Sequence, residues 1–222
     1  MVKLKGTGML AVWSEVPPEH EEEFNEWYNQ EHLSERLSVP GVLSAVRYEA
    51  VKSGPKYLAV YELEHPSVMQ SSEYVTLKNN PTEWSKQMSP NVIGTTYIRN
   101  VYEMIHPTVL TDEIATSRTA PALQVGRMNI PTNLEDEWNE WYNQIYVPNY
   151  ETVKGVIRGR RYQTVEGSPK YMTFYELESA MASQTEEWQK KQTAHPANKK
   201  MREEMQHEPD SPGIWVKTFE LE

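Results

Sequence analysis

EEFNEWYNQ, residues 22–30, recurs almost unchanged as DEWNEWYNQ, residues 136–144, at an offset of 114 positions. With this offset and no gap, residues 21–64 match residues 135–178 at 21 of 44 positions. Unrelated sequences of average composition match at about one position in fifteen. The chain is therefore a tandem duplication, and its fold depends on what one repeat unit forms.

The sequence of one repeat unit predicts four strands and two helical regions. The apolar or alternating stretches that read as strands are residues 8–14, 43–51, 56–64 and 98–104. A helix is expected from Pro17 to about Leu37, ending before Pro40-Gly41, and a less regular helical region from about Pro66 to Met88. The order β-α-β-β-α-β is the ferredoxin-like arrangement.

A four-stranded sheet with helices on one face leaves its other face bare, and that face must be buried. Two such units in one chain can bury their bare faces against each other. We therefore expect an α+β protein in which two tandem ferredoxin-like units form a barrel with the helices outside. The predicted division is a first unit at residues 1–106, a polar linker at 107–120 and a second unit at 121–222.

Composition limits the classes of partner. The formal net charge of −10 disfavours binding to a phosphate backbone, so nucleic acid is not expected. Cysteine is absent, which excludes disulfides and thiolate nucleophiles. No apolar run of about 18 residues and no signal-peptide pattern is visible, so we expect no membrane span and a cytoplasmic protein. The excess of 13 Tyr and 7 Trp over 3 Phe fits pocket walls as well as a core.

The run Glu26-Trp27-Tyr28-Asn29-Gln30-Glu31-His32, with Val39-Pro40-Gly41 and Arg47-Tyr48 after it, resembles the dimeric α+β barrel superfamily, in particular EthD-like and related proteins. The resemblance covers both halves. It implies a fold usually made by two identical chains, here supplied by the duplication, with a pocket between the sheet and helices of each unit. Members include cofactor-free monooxygenases, polyketide cyclases, decarboxylases, isomerases and haem enzymes, so the fold does not fix the reaction.

The two copies depart differently from the His-x-Pro pattern that such relatives often carry at the end of the first helix. The first copy has His32 but Ser34, and the second has Pro148 but Tyr146. The two pockets are therefore expected to differ in chemistry.

His32 and Tyr28 are the candidate catalytic residues. They follow Phe24 at four-residue spacing, so all three lie in one helical stripe that can face the sheet. An imidazole there can transfer protons near neutral pH, and a phenol can orient a carbonyl or stabilise an enolate. The alternatives are a histidine at the surface near a helix end and a tyrosine that packs in the core.

Further residues are candidates for substrate contact because they lie near the predicted pockets: Trp27, Asn29, Arg47, Tyr142, Tyr146 and Arg161. The strand arginines can clamp a carboxylate or phenolate, or instead pair with Glu62 and Glu176 across each hairpin. The asparagines have a helix-surface or capping role as their alternative. The other five histidines show no metal-ligand spacing, so no metal and no cofactor are expected.

The residues favour a cofactor-independent enzyme that uses proton transfer to isomerise, cyclise, decarboxylate or dehydrate an aromatic or polyketide-like substrate. One alternative is a non-catalytic ligand-binding or stress-related barrel protein. A second alternative, implied by the resemblance, is a haem-binding protein or a cofactor-free monooxygenase. The partners expected are a small, aromatic substrate and a second copy of the two-unit chain in a homodimer.

Overall fold

The computed structural model of the chain describes residues 2–221 and has the predicted α+β architecture. Its strands are β1 Gly8–Glu15, β2 Val42–Lys52, β3 Tyr57–Leu63, β4 Thr96–His106, β5 Ala122–Asn129, β6 Val156–Glu166, β7 Tyr171–Leu177, β8 Gln206–His207 and β9 Gly213–Glu220. Its α-helices are α1 Glu21–Trp27, α2 Leu33–Leu37, α3 Ser72–Asn79, α4 Glu83–Met88, α5 Pro90–Ile93, α6 Asp112–Thr116, α7 Glu135–Trp141, α8 Val147–Glu151, α9 Glu186–Lys191 and α10 Ala197–Glu203.

Eight strands close an antiparallel barrel in the order β7-β6-β4-β1-β3-β2-β9-β5, and β5 pairs back to β7. We call β1–β4 with their helices the first half, and β5–β9 with theirs the second half. The order β4-β1-β3-β2 of the first half is matched by β9-β5-β7-β6 in the second. The joints β2–β9 and β4–β6 connect the halves, so the edge strands of both sheets are paired.

The first helix of each half is interrupted at the same place. A π-helical turn at Tyr28–His32 separates α1 from α2, and its counterpart at Tyr142–Tyr146 separates α7 from α8. Such a turn holds one extra residue and is frequent at functional sites. The extra residue offsets the angular drift of residues spaced four apart, so Tyr28 and His32 remain on the face that meets the sheet.

The predicted linker at residues 107–120 contains α6, which the sequence pattern did not predict. Thr111 caps this helix by accepting a hydrogen bond from the Ile114 amide at 3.3 Å. Lys5 holds the same segment: its Nζ donates to the Ser117 and Arg118 carbonyls at 2.8 and 2.6 Å. The segment therefore packs against the barrel.

Three apolar layers make up the core. One fills the barrel interior with large side chains such as Trp13, Tyr102, Tyr162 and Trp215. The other two lie outside the barrel, each between the sheet of one half and its helices. Because the interior is filled, open space for a ligand is found in the outer layers.

A buried ion cluster crosses the barrel interior. Arg160, on β6, contacts both oxygens of Glu62 at 2.5 and 3.1 Å and lies 2.7 Å from Glu176. The two glutamates occupy equivalent positions in the two halves, whereas Val46 stands at the first-half position equivalent to Arg160. One guanidinium therefore serves both carboxylates and ties the halves together.

Candidate functional site

The strand arginines fasten the first helix of each half to its sheet. Arg47 Nη1 and Nη2 donate to the side-chain oxygens of Asn29 and Asn25 at 2.9 and 2.7 Å, and its guanidinium lies 4.5 Å from the Tyr28 ring centroid. Burial lowers the pKa of Arg47. The predicted alternative pairing of Arg47 with Glu62 is wrong, since Arg160 holds that carboxylate.

Arg161 repeats this arrangement in the second half. It donates to Asn143 and Asn139 at 2.5 and 2.8 Å and lies 4.2 Å from the Tyr142 ring centroid. Burial lowers its pKa to about 10. The predicted alternative pairing with Glu176 is also wrong, because Arg158 and Arg160 approach Glu176 instead. The side chains of both strand arginines thus hold the helices to the sheet, and neither is among the residues that line the two outer-layer pockets described next.

The first-half pocket is a cavity of about 550 Å³ between the helices and β4, with an inner extension of about 80 Å³ toward β1 and β3. His32 and Arg36 line both parts. The lining of the two parts includes the side chains of Trp27, Tyr28, His32, Arg36, Tyr61, Tyr74, Lys78, Lys86, Arg99 and Glu166. The structure therefore brings together three sequence-predicted residues, Trp27, Tyr28 and His32.

His32 is held between aromatic rings at the inner end of the pocket. Its ring centroid lies 4.3 Å from that of Trp27 and 4.9 Å from that of Tyr28. Arg36 Nε donates to His32 Nε2 at 3.5 Å, while His32 Nδ1 is buried without a hydrogen-bond partner. Burial, and then the charges of Arg36 and Arg47, hold the pKa of His32 well below its usual value. His32 is therefore neutral near pH 7, and its proton lies on Nδ1 because Nε2 accepts from Arg36.

Other donors at the inner end of the pocket also lack partners. Arg36 Nη1 and the Tyr61 hydroxyl are buried with no hydrogen bond. Burial raises the pKa of Tyr28 and raises that of Tyr61 well above its usual value, so both phenols keep their protons. A buried donor left unpaired costs about 1–3 kcal/mol, so the group as a whole suits an oxygen-bearing anion.

The rim of the first-half pocket is cationic although the whole chain is acidic. Arg36, Lys78, Lys86 and Arg99 line it against one carboxylate, Glu166. Glu166 comes from β6 of the second half, and its Oε1 accepts from Arg99 Nη1 at 2.6 Å. Arg99 Nη2 also donates to the Tyr74 hydroxyl at 3.1 Å. The second half therefore completes the mouth of the first-half pocket.

The second-half pocket is smaller, about 210 Å³, and has different chemistry. Tyr146 and Tyr150 replace His32 and Arg36, and their hydroxyls lie 3.3 Å apart. Tyr142 also lines this cavity, so the predicted residues Tyr142 and Tyr146 are brought together. The two pockets therefore differ in volume and in the side chains at equivalent positions, as the sequence predicted.

Sequence reasoning missed several residues of the first-half pocket: Arg36, Tyr61, Tyr74, Arg99 and Glu166. Arg36 follows His32 by four residues, so helical spacing was a signal that could have found it. Arg99 and Glu166 lie on strands of different halves, and their contact depends on the register of the β4–β6 joint. Asn29, predicted for substrate contact, instead accepts from Arg47.

Haem was one implied cofactor, and the histidine of the first-half pocket does not fit it. The Trp27 and Tyr28 rings flank the His32 ring, and Arg36 Nε occupies the direction of the Nε2 lone pair. A porphyrin iron needs that lone pair and open space around it. No group of three or more His, Asp or Glu side chains among residues 2–221 is placed to hold a metal ion. None of the helices in the same span has the length and apolar character to cross a bilayer.

Comparisons with known proteins give likeness of structure without likeness of sequence. No protein-family profile matches the chain, and no curated protein matches it by sequence. An anthrone oxidase-like protein superposes with a TM-score of 0.65 at 13% identity, over 99% of this chain and 95% of the other. A candidate chlorite dismutase gives a TM-score of 0.63 at 12% identity, over 96% of both chains.

A candidate monooxygenase from Fusobacterium nucleatum subsp. nucleatum gives a TM-score of 0.60 at 10% identity, over 97% of this chain and 94% of the other. At such identities a likeness establishes the fold and leaves the reaction open. The closed barrel of two ferredoxin-like halves and these likenesses together show that the chain has the dimeric α+β barrel fold, formed within a single chain.

Proposed function

We propose that the first-half pocket binds a hydroxylated or keto aromatic compound as its oxyanion, and that the chain is a cofactor-independent oxidase or monooxygenase. The observation that carries this proposal is a group of unpartnered buried donors on three residues that line the inner extension of the pocket: His32 Nδ1, Arg36 Nη1 and the Tyr61 hydroxyl. Fixed donors that stabilise a developing oxyanion are often the largest single contribution to catalysis. The likeness to an anthrone oxidase-like protein supports oxidation over isomerase or lyase chemistry.

The reaction can be written for an aryl ketone with an acidic CH₂ group between its rings. Loss of one proton to water at the open mouth gives an enolate, whose oxygen lies against the donors. The enolate transfers an electron to O₂, and the two radicals combine to form a C–O bond and a peroxide anion, which takes a proton from water to give the hydroperoxide. Loss of the second proton from the same carbon breaks the O–O bond and releases hydroxide. The sum is R₂CH₂ + O₂ → R₂C=O + H₂O, and no further oxidant is needed.

His32 donates a hydrogen bond in this scheme and does not abstract the proton, which differs from the acid/base role expected from the sequence. Two substitutions separate these roles. His32→Gln keeps a neutral donor but cannot carry a transferable proton near pH 7, whereas His32→Phe removes both properties. We expect His32→Phe to slow turnover by about 10²–10³-fold, the usual effect of losing one oxyanion donor, and His32→Gln to retain a measurable part of the rate.

The assay uses an anthrone-type ketone, with O₂ uptake and product absorbance in air and C–H exchange in D₂O under anaerobic conditions. Tyr146→Phe is the matched control, because it alters the equivalent position of the second half. We expect uptake of one O₂ per ketone formed, and anaerobic exchange that depends on His32. Binding without exchange or O₂ uptake would instead identify a ligand-binding protein. Equal inactivity of His32→Gln and His32→Phe would assign His32 a proton-transfer role.

A further inference from the structure

The second-half pocket has the size and lining of a separate binding site. The rings of Tyr142, Tyr146, Tyr150 and Trp188 form much of its wall, and its volume is about 210 Å³. An apolar cavity of about 150 Å³ is large enough to bind benzene. The second-half pocket is therefore large enough for a compound of one or two aromatic rings.

Two hydroxyls at the inner wall of this cavity make no hydrogen bond within 3.5 Å, and both lie near the Tyr142 hydroxyl, whose pKa burial raises and these two groups lower. They belong to Tyr175 and Thr173, whose residues are 4% and 2% exposed. Burial raises the pKa of Tyr175 well above its usual value, so its hydroxyl keeps a proton that it can donate. Ala59 stands at the first-half position equivalent to Thr173, so this pair of hydroxyls is particular to the second half.

The charges around the cavity also differ from those of the first-half pocket. Among the described residues that line the cavity there is no Asp or Glu, and Arg202 is the only Lys or Arg. The position of Arg36 is taken by Tyr150, whose hydroxyl lies 3.3 Å from that of Tyr146. Protonated hydroxyls with little cationic charge match a neutral acceptor better than an anion.

We infer that the second-half pocket is a second, distinct ligand site that binds a neutral, carbonyl-bearing aromatic compound of the quinone or aryl-ketone class. The carbonyl oxygen accepts hydrogen bonds from Tyr175 and Thr173, and the rings stack among the surrounding tyrosines and Trp188. This site does not depend on the chemistry proposed for the first-half pocket.

Isothermal titration calorimetry with 1,4-naphthoquinone tests the inference, and naphthalene is the matched ligand without carbonyl groups. The chain has no cysteine, so the usual covalent addition of a thiol to the quinone does not occur. We compare the wild type with Tyr175→Phe and Thr173→Val, and with Tyr61→Phe as the control at the first-half position equivalent to Tyr175. Each second-half change should weaken naphthoquinone binding about tenfold, the effect of one neutral hydrogen bond, and Tyr61→Phe should leave it unchanged.

A second readout separates a ligand role from a structural one. Removing an unpartnered buried hydroxyl should not lower the melting temperature, so Tyr175→Phe should lose affinity while keeping or gaining stability. No measurable binding of naphthoquinone, equal affinity for naphthalene, or weakening by Tyr61→Phe alone would overturn the inference. Ketone oxidation by Tyr175→Phe should match the wild type, so failure here and failure of the proposed oxidase are distinguishable.

Discussion

Arg36 Nε donates to His32 Nε2 across one helical turn at 3.5 Å, and this contact favours the histidine tautomer that carries its proton on Nδ1. A neutral imidazole that accepts at Nε2 presents an N–H at Nδ1. The guanidinium also disfavours a second positive charge beside it, adding to the effect of burial on the pKa of His32. At the equivalent positions of the second half, Tyr146 and Tyr150 form a hydroxyl pair instead.

The low pKa of His32 predicts a loss of stability at acidic pH. In the unfolded chain this histidine titrates near pH 6.5, whereas in the folded chain its pKa is well below that value. Below about pH 6.5 the unfolded chain therefore binds a proton that the folded chain does not. His32 should lower the free energy of unfolding by up to about 1.4 kcal/mol per pH unit over this range, and have no such effect above it.

His32→Gln isolates this contribution, because burial also lowers the pKa of His106 and His207, and those residues remain in the variant. Urea unfolding of both proteins at pH 7.5, 6.5 and 5.5 gives the comparison. The stability of the wild type relative to His32→Gln should fall as the pH drops below 6.5. A difference that stays constant across the three pH values contradicts the neutral assignment.

The hydrogen bonds from Arg47 to Asn25 and Asn29 predict that loss of this arginine strongly destabilises the protein. Arg47→Met removes two hydrogen bonds from a guanidinium to helix asparagines, together with its contact to the Tyr28 ring. We expect a loss on the order of 3 kcal/mol by urea unfolding, since hydrogen bonds to charged groups contribute about 1.5–3 kcal/mol each. Arg161→Met should behave alike in the second half. Lys86→Met, at an exposed ion pair, should cost less than about 1 kcal/mol. An equal cost for Arg47→Met and Lys86→Met would show that the Arg47 hydrogen bonds do not hold the helix to the sheet.

The residues that the two copies share explain why the fold could be predicted from the sequence. Glu21 accepts hydrogen bonds from Lys56 and Tyr57, and Glu135 accepts them from the equivalent Lys170 and Tyr171. The hydrogen bonds from Arg47 and Arg161 to the asparagines of the first helix repeat in the same way. These shared residues join the first helix of a half to its own sheet. The contacts are local to one unit, so the repeat pattern was sufficient to predict that unit.

The pockets could not be predicted to the same depth, because their chemistry lies at positions where the copies differ. His32 and Arg36 become Tyr146 and Tyr150, and Lys52 becomes Glu166. The role of Glu166 depends on a contact between halves, which periodicity within one unit does not specify. The π-helical turns were also missed, since the pattern of Trp27 and Tyr28 fits a continuous α-helix equally well.

The buried ion cluster predicts strong coupling between Arg160 and Glu62. Arg160→Met leaves two buried carboxylates without their shared cation and should cost about 3–5 kcal/mol. Changing Glu62 to Gln in the same protein removes one of these charges, so Glu62→Gln/Arg160→Met should be more stable than Arg160→Met alone. Glu176 keeps Arg158 as a partner in both variants. Chemical denaturation of the four proteins of the double-mutant cycle measures the coupling, and additive costs would show that the contact is not energetically important.

The difference between the halves predicts what happens when His32 and Arg36 are replaced by the residues at the equivalent second-half positions. His32→Tyr/Arg36→Tyr gives the first-half pocket the hydroxyl pair that already packs in the second half, so the fold should survive and the melting temperature should change little. Ketone oxidation should fall at least 10²-fold, since an N–H donor and a guanidinium are lost together. The reciprocal Tyr146→His/Tyr150→Arg variant should keep the wild-type rate, because the first-half pocket is untouched. Normal turnover by the first variant, with a folded protein shown by circular dichroism, would place the reaction outside this pocket.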